Sequence, residues 1–145
     1  MSTRVNISKT APDAYKAFVG VENYIASTAL TTTHKELIKI RASQINGCAF
    51  CINMHTADAR KYGETEQRIY MLNAWREADI YTEEEKAILA LTEQITLISN
   101  HHGLEEAYAR MKELFDDKYI ADVIVMISAI NNWNRIAISS GWRVA

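Results

Sequence analysis

The segment Asn46-Gly-Cys48-Ala-Phe-Cys51-Ile-Asn-Met-His55 carries two thiols and an imidazole at positions i, i+3 and i+7. On an α-helix those offsets fall on one face. Two cysteines so close in sequence close no useful structural loop, and in a reducing compartment such a pair is more often catalytic or metal-binding. In the first turn of a helix, Cys48 would meet unpaired backbone N–H groups and the positive end of the helix dipole, both of which favour thiolate. Cys51 lies one turn from His55, within reach for proton exchange.

Ionisation alone does not make such a thiol fast. Full ionisation at neutral pH raises the thiolate fraction about thirtyfold. The accompanying loss of intrinsic nucleophilicity takes back about thirteenfold, for a net gain of about twofold. Reaction with a peroxide also needs a proton for the departing oxygen, which is general-acid work for a histidine oriented by a carboxylate. Glu36 is the carboxylate that the spacing favours. It lies twelve residues before Cys48, at the start of the preceding helix, so an antiparallel helical hairpin would bring it beside His55. Thr33-His-Lys-Glu36 also has the spacing of a capping box, which accounts for the same glutamate without any chemistry.

Other roles for these residues stay open. The cysteines could be small buried hydrophobes. C-x-x-C with His55 supplies three zinc ligands, and His34, His101, His102 or Glu36 could complete a tetrahedron, although no second C-x-x-C or H-x-x-x-H is present. Ser43 and Asn46 either end a helix or shape the thiol pocket through a hydrogen bond. His101 and His102 read as solvent-facing loop residues. Trp133 and Arg135 read as packing or subunit contact, and Met54, Met71, Met111 and Met126 as core.

The elements that must position these groups are helices. Thr10-Ala-Pro-Asp13 starts a first helix, with Thr10 as its cap and Pro12 in the first turn, running to about Ala29. Leu37, Ile38, Ile40, Arg41 and Ile45 give a second, mostly apolar face that ends at Asn46-Gly47. A third helix runs from about Cys48 to Tyr62, where Gly63 suits the left-handed position beyond its end. Thr65 to about Trp75 reads as a shorter helix. Thr82-Glu-Glu-Glu85 is a capping box opening an amphipathic helix with Ala87, Ile88, Leu91, Ile95 and Ile98. Leu104 to Phe115 and about Lys118 to Ser139 supply the last two. Six to seven helices in one domain over residues 1–145, all-α, with C-x-x-C at the N-terminus of a core helix, is the predicted architecture.

Composition agrees with that reading. A chain of 145 residues can bury roughly two-thirds of its unfolded surface and needs no disulfide staple. One proline and five glycines favour long helices over a turn-rich β fold. Sixteen basic and eighteen acidic residues, spread along the chain, argue against a nucleic-acid partner. The apolar stretch Tyr119 to Ile138 contains Asp122, Asn131, Asn132, Asn134 and Arg135, which would be costly in a bilayer, so it reads as a buried helix. The first residues lack an apolar run of signal-peptide length, which makes the cytoplasm the expected location.

Glu36, the helix of Leu, Ile and Ala after it, Ser43, Asn46 and C-x-x-C-x-x-x-H resemble, in order, the core of alkylhydroperoxidase D-like (AhpD-like) proteins of the carboxymuconolactone decarboxylase-like superfamily. With Asn131-Asn-Trp-Asn-Arg135, the resemblance covers about residues 15 to 140. It implies that Cys51 is oxidised to a sulfenic acid by a small hydroperoxide and that Cys48 resolves it as a disulfide. His55 and Glu36 would form the proton relay. A lipoylated or thioredoxin-like dithiol protein would restore the thiols, in a helical homo-oligomer, with no metal, haem or flavin.

Phe50 departs from the pattern, because some family members place a relay histidine just before the second cysteine. Carboxymuconolactone decarboxylases proper lack the cysteine pair, so Cys48 and Cys51 argue against decarboxylation. Two rival readings remain beside the antioxidant peroxidase or disulfide oxidoreductase. One is a non-enzymatic redox or metal-responsive interaction protein, and the other a carboxymuconolactone decarboxylase-like small-molecule activity in the same pocket.

Overall fold

A computed structural model describes residues 4–144, and those residues form an all-α domain. Its principal helices are α1 (Pro12–Ser27), α2 (Thr32–Asn46), α3 (Ala49–Lys61), α4 (Glu66–Tyr70), α5 (Glu83–Thr96), α6 (Leu104–Leu114) and α7 (Asp117–Ser139). A four-residue helix, Ile7–Thr10, precedes them, and 3₁₀ segments Leu72–Glu77 and Ile98–Asn100 follow α4 and α5. No helix among the described residues is long and apolar enough to cross a membrane.

Local chemistry explains most of the boundaries. Thr82 and Glu85 cap α5 reciprocally, as their spacing predicts. Asp116 accepts the Tyr119 N–H at the start of α7. The predicted starts of α1 and α2 are displaced. Thr10 closes the short helix Ile7–Thr10 instead of capping α1, which begins at Pro12 with no side-chain cap. Thr31, not Thr33, caps α2, accepting the His34 N–H, so Glu36 lies beyond the capping position and its carboxylate is free to turn inward. The stretch predicted as one helix from Thr65 to Trp75 breaks near Met71. It continues as a 3₁₀ segment, with Ala74 off helical geometry, that buries Leu72 and Trp75 three residues apart.

Helix α2 is the hub, packing on α3, α5 and α7. It turns Ile38 and Ala42 into the main core with Ile88, Leu91, Met111, Met126 and Ile127. It turns Leu37 and Ile40 into a second cluster with Ala59, Leu72, Trp75 and Leu89. Burial on both flanks is why its buried residues, Leu37, Ile38, Ile40 and Ala42 among them, are not confined to one narrow stripe.

The two clusters are tied by a buried carboxylate. Glu93 on α5 accepts from Arg41 Nε at 2.8 Å, from Trp75 Nε1 at 2.9 Å and from the Arg76 guanidinium. Burial pushes this carboxyl upward, but the Trp75 N–H and the two guanidiniums more than offset that and hold it below the usual carboxylate range. The stability this contributes is therefore present above the ordinary glutamate range and lost as pH falls through the lower folded-state value. Glu93→Ala is expected to cost about 3 kcal/mol, because it leaves the buried Trp75 N–H unpaired and removes the carboxylate from the partly buried Arg41. The measurement is urea unfolding, in which the variant should also lose less stability on acidification than the parent.

Candidate functional site

The site begins at a chain reversal. Gly47 ends α2 in the left-handed conformation, with φ 69° and ψ 32°, which a side chain would strain. Its N–H and that of Cys48 return to carbonyls of the last turn of α2, Cys48 N to Ser43 O at 3.0 Å. Cys48 is thereby set as the residue that caps α3, and its Sγ accepts the Cys51 N–H at 3.3 Å. Cys48 thus stands one residue before the first turn in which its spacing predicts it, still at the helix end that favours thiolate. A disulfide joins Cys48 to Cys51, their Cα atoms 5.3 Å apart.

A polar knot holds this reversal against α7. Asn46 Nδ2 donates to Asn131 Oδ1 at 3.0 Å and to Asn134 Oδ1 at 2.9 Å, and Asn134 Nδ2 donates to the buried Ser43 Oγ at 2.9 Å. Asn46 is the last residue of α2, as the first of the two readings has it, and together with Ser43 it also ties the reversal beside the cysteines to α7.

His55, one turn after Cys51, is 7% exposed, and Glu36 of α2 is 6% exposed. The α2–α3 hairpin brings His55 Nδ1 to 3.2 Å from Glu36 Oε2. The approach is close but poorly aligned for a hydrogen bond, and neither atom has another hydrogen-bond partner. Buried polar atoms in that state cost about 1–3 kcal/mol each. The other oxygen, Glu36 Oε1, accepts from Lys39 Nζ at 3.1 Å. Burial pushes the Glu36 carboxyl upward, whereas His55 and Lys39 together outweigh it and keep the group below the usual carboxylate range.

Cys51 and His55 both face a cavity of about 420 Å³, and Cys48 is not part of its wall. The wall is mainly apolar and aromatic, with Phe50 and Trp142 packed against the cysteines and Tyr15, Met54, Ile130 and Trp133 completing it. Phe50 meets Trp142 edge-on at 5.1 Å between ring centres. Trp133 is anchored by Nε1 donating to Glu22 Oε1 at 2.9 Å. Met54, expected in the core, is 42% exposed and lines the cavity, whereas Met111 and Met126 are fully buried.

All four predicted site residues, Cys48, Cys51, His55 and Glu36, meet at this one place. The histidines offered as completing zinc ligands do not. His34 lies against Tyr119 Oη at 2.6 Å with its pKa lowered by burial, and His101 and His102 are in an exposed loop. Two neighbours escaped the sequence reading. Lys39 is three residues from Glu36 and Asp58 three from His55, the helical offset that puts each on the face of its partner. Metal-binding atoms of Glu36, His55 and Asp58 lie within 4.8 Å of one another.

Residues 12–94 match the family described as "Carboxymuconolactone decarboxylase family". The chain is 51% identical over 145 residues to the uncharacterized protein YdfG of Bacillus subtilis (strain 168), covering all of this chain and 99% of YdfG. Among solved structures it is similar to a protein of unknown function from Agrobacterium tumefaciens, proposed there to be an antioxidant defence protein AhpD. That similarity has a TM-score of 0.93 and 40% identity over 99% of this chain and 98% of the other. The fold also matches an uncharacterized peroxidase-related protein with an alkylhydroperoxidase AhpD core from Ralstonia eutropha JMP134. That match has a TM-score of 0.81 at 23% identity over 96% of this chain and 74% of the other.

After reduction of the disulfide, a small alkylating reagent is expected to modify Cys51 before Cys48, because only the former faces the cavity. Mass spectrometry of partly modified protein checks this, and equal labelling would mean that both sulfurs are reached alike.

Proposed function

This chain belongs to the carboxymuconolactone decarboxylase family, in its AhpD-like group, and on that premise we propose that it is a dithiol peroxidase whose attacking sulfur is Cys51. The observation that carries the reading is the union of three features at one point. The cysteine pair is at the start of α3, Cys51 and His55 share a cavity wall, and the Glu36 carboxylate lies behind His55.

In the first step the Cys51 thiolate attacks the terminal oxygen of a hydroperoxide. The O–O bond breaks, an S–O bond forms, and the departing alkoxide takes a proton from His55, giving an alcohol and Cys51 sulfenic acid. Two electrons leave sulfur and reduce the peroxide. Next, the Cys48 thiolate attacks Cys51 sulfur, the S–S bond forms and hydroxide leaves, protonated to water. Position at the helix cap favours the anionic form of Cys48 for this second attack. A protein dithiol, lipoylated or thioredoxin-like, then takes up the oxidation by thiol–disulfide exchange, becoming a disulfide itself and returning Cys48 and Cys51 to thiols.

Glu36 serves the relay by remaining ionised behind the imidazole, which orients the ring and balances the charge on His55 when it holds two protons. Where some relatives carry a relay histidine, this chain has Phe50, whose ring joins Trp142 in the aromatic wall. His55 and Glu36 therefore carry proton transfer on their own. The half-open, mostly apolar cavity favours organic hydroperoxides over hydrogen peroxide, because an alkyl or aryl body displaces poorly held water from the wall.

Stopped-flow mixing of the fully reduced, metal-free protein with an organic hydroperoxide tests this. Two thiols should be lost per chain at a rate proportional to peroxide. Cys51→Ser should abolish the reaction, and Cys48→Ser should stop at a sulfenic acid that dimedone traps. His55→Ala should slow the first step about 100-fold or more. Slow oxidation of the parent by every hydroperoxide tried, or identical behaviour of the two cysteine variants, would overturn the assignment.

A further inference from the structure

We propose that Glu36, His55 and Asp58 form a binding site for a divalent transition-metal ion that does not use the thiols. Glu36 approaches from α2, while His55 and Asp58 lie three residues apart on α3, and their donor atoms fall within 4.8 Å of one another. Glu36 Oε2 and His55 Nδ1 are both buried and both lack a hydrogen-bond partner. Their 3.2 Å separation is too poorly aligned for a hydrogen bond, yet it is the separation of two ligands on one ion. Metal–ligand arms of about 2.0–2.1 Å at a tetrahedral angle put donor atoms roughly 3.3 Å apart.

The donor set selects the class of ion. One imidazole nitrogen with two carboxylates suits Zn²⁺ or Mn²⁺, whereas Mg²⁺ and Ca²⁺ prefer oxygen alone. Two carboxylates balance a double charge. Lys39 is bonded to Glu36 Oε1 and leaves Oε2 for the ion, although its ammonium tempers the affinity. Asp58 is only partly buried, so the site opens toward solvent on its side and the Asp58 carboxylate can swing inward to close on the ion. The ion would act as a regulatory ligand: with His55 Nδ1 on the metal, the Glu36–His55 relay is interrupted. That consequence rests on the peroxidase reading, and the binding itself does not.

Binding is tested on the disulfide form, whose sulfurs cannot act as thiolate ligands. The protein is stripped with a chelator and titrated with Zn²⁺ by calorimetry and with Co²⁺ by visible absorption. One ion per chain is expected, weakened at least tenfold by Asp58→Asn and by His55→Ala, each with parental helicity. A protein with both cysteines changed to serine should bind as the parent does, which guards against a variant that fails to fold. Absence of saturable binding, or binding that Asp58→Asn leaves unchanged, overturns the site. If Zn²⁺ binds with that dependence on Asp58 but leaves peroxide reduction by the reduced protein unaffected, the site stands and the relay role of His55 falls.

Discussion

The α2–α3 reversal at Gly47 is the constraint on which the site depends. A left-handed residue there lets the chain double back with only Cys48 between it and the next helix, and that brevity has two effects at once. It makes Cys48 the cap of α3, where the Cys51 N–H meets its sulfur, and it fixes the register in which Glu36 of one helix meets His55 of the next. A longer link would let α3 rotate against α2 and would separate the carboxylate from the imidazole. The hydrogen bonds from Asn46 and Asn134 lock that register to α7, so the asparagines in the most apolar helix of the chain have a positional purpose.

Two of the buried carboxylates in this fold, Glu93 and Glu36, differ in completeness. Glu93 is surrounded by three donors. Glu36 is as deeply buried but has one firm partner, Lys39, and a second oxygen that faces His55 without a well-formed bond. A fully satisfied carboxylate is rigid and inert, whereas one with an uncommitted oxygen can accept a proton or a cation as its surroundings change. The contrast separates a structural glutamate from one poised for chemistry within the same molecule.

The aromatic wall gives the site its shelter. Phe50 and Trp142 close one side of the cavity and Trp133, held by Glu22, another, so the Cys51 sulfur is almost wholly shielded from bulk water while remaining on the cavity surface. Cys48, equally buried, is off that surface. Two sulfurs with similar burial are thus distinguished by the direction in which each faces.

The sequence by itself determined the helical class, most helix boundaries and which residues could make up a candidate site, because helix caps, apolar periodicity and C-x-x-C-x-x-x-H are local patterns within a few turns. It misplaced the start of α2, since Thr31 and Thr33 are equally good caps and only packing chooses between them. That choice decided whether Glu36 was a capping residue or a buried partner of His55. Lys39 and Asp58 follow Glu36 and His55 into the site through their i, i+3 spacing, whereas tertiary structure alone made Met54 part of a cavity wall and turned Cys51 toward that cavity. Each of these depends on how one helix is rotated about its axis relative to its neighbours, a quantity set by summed contacts across the whole core and by no local run of residues.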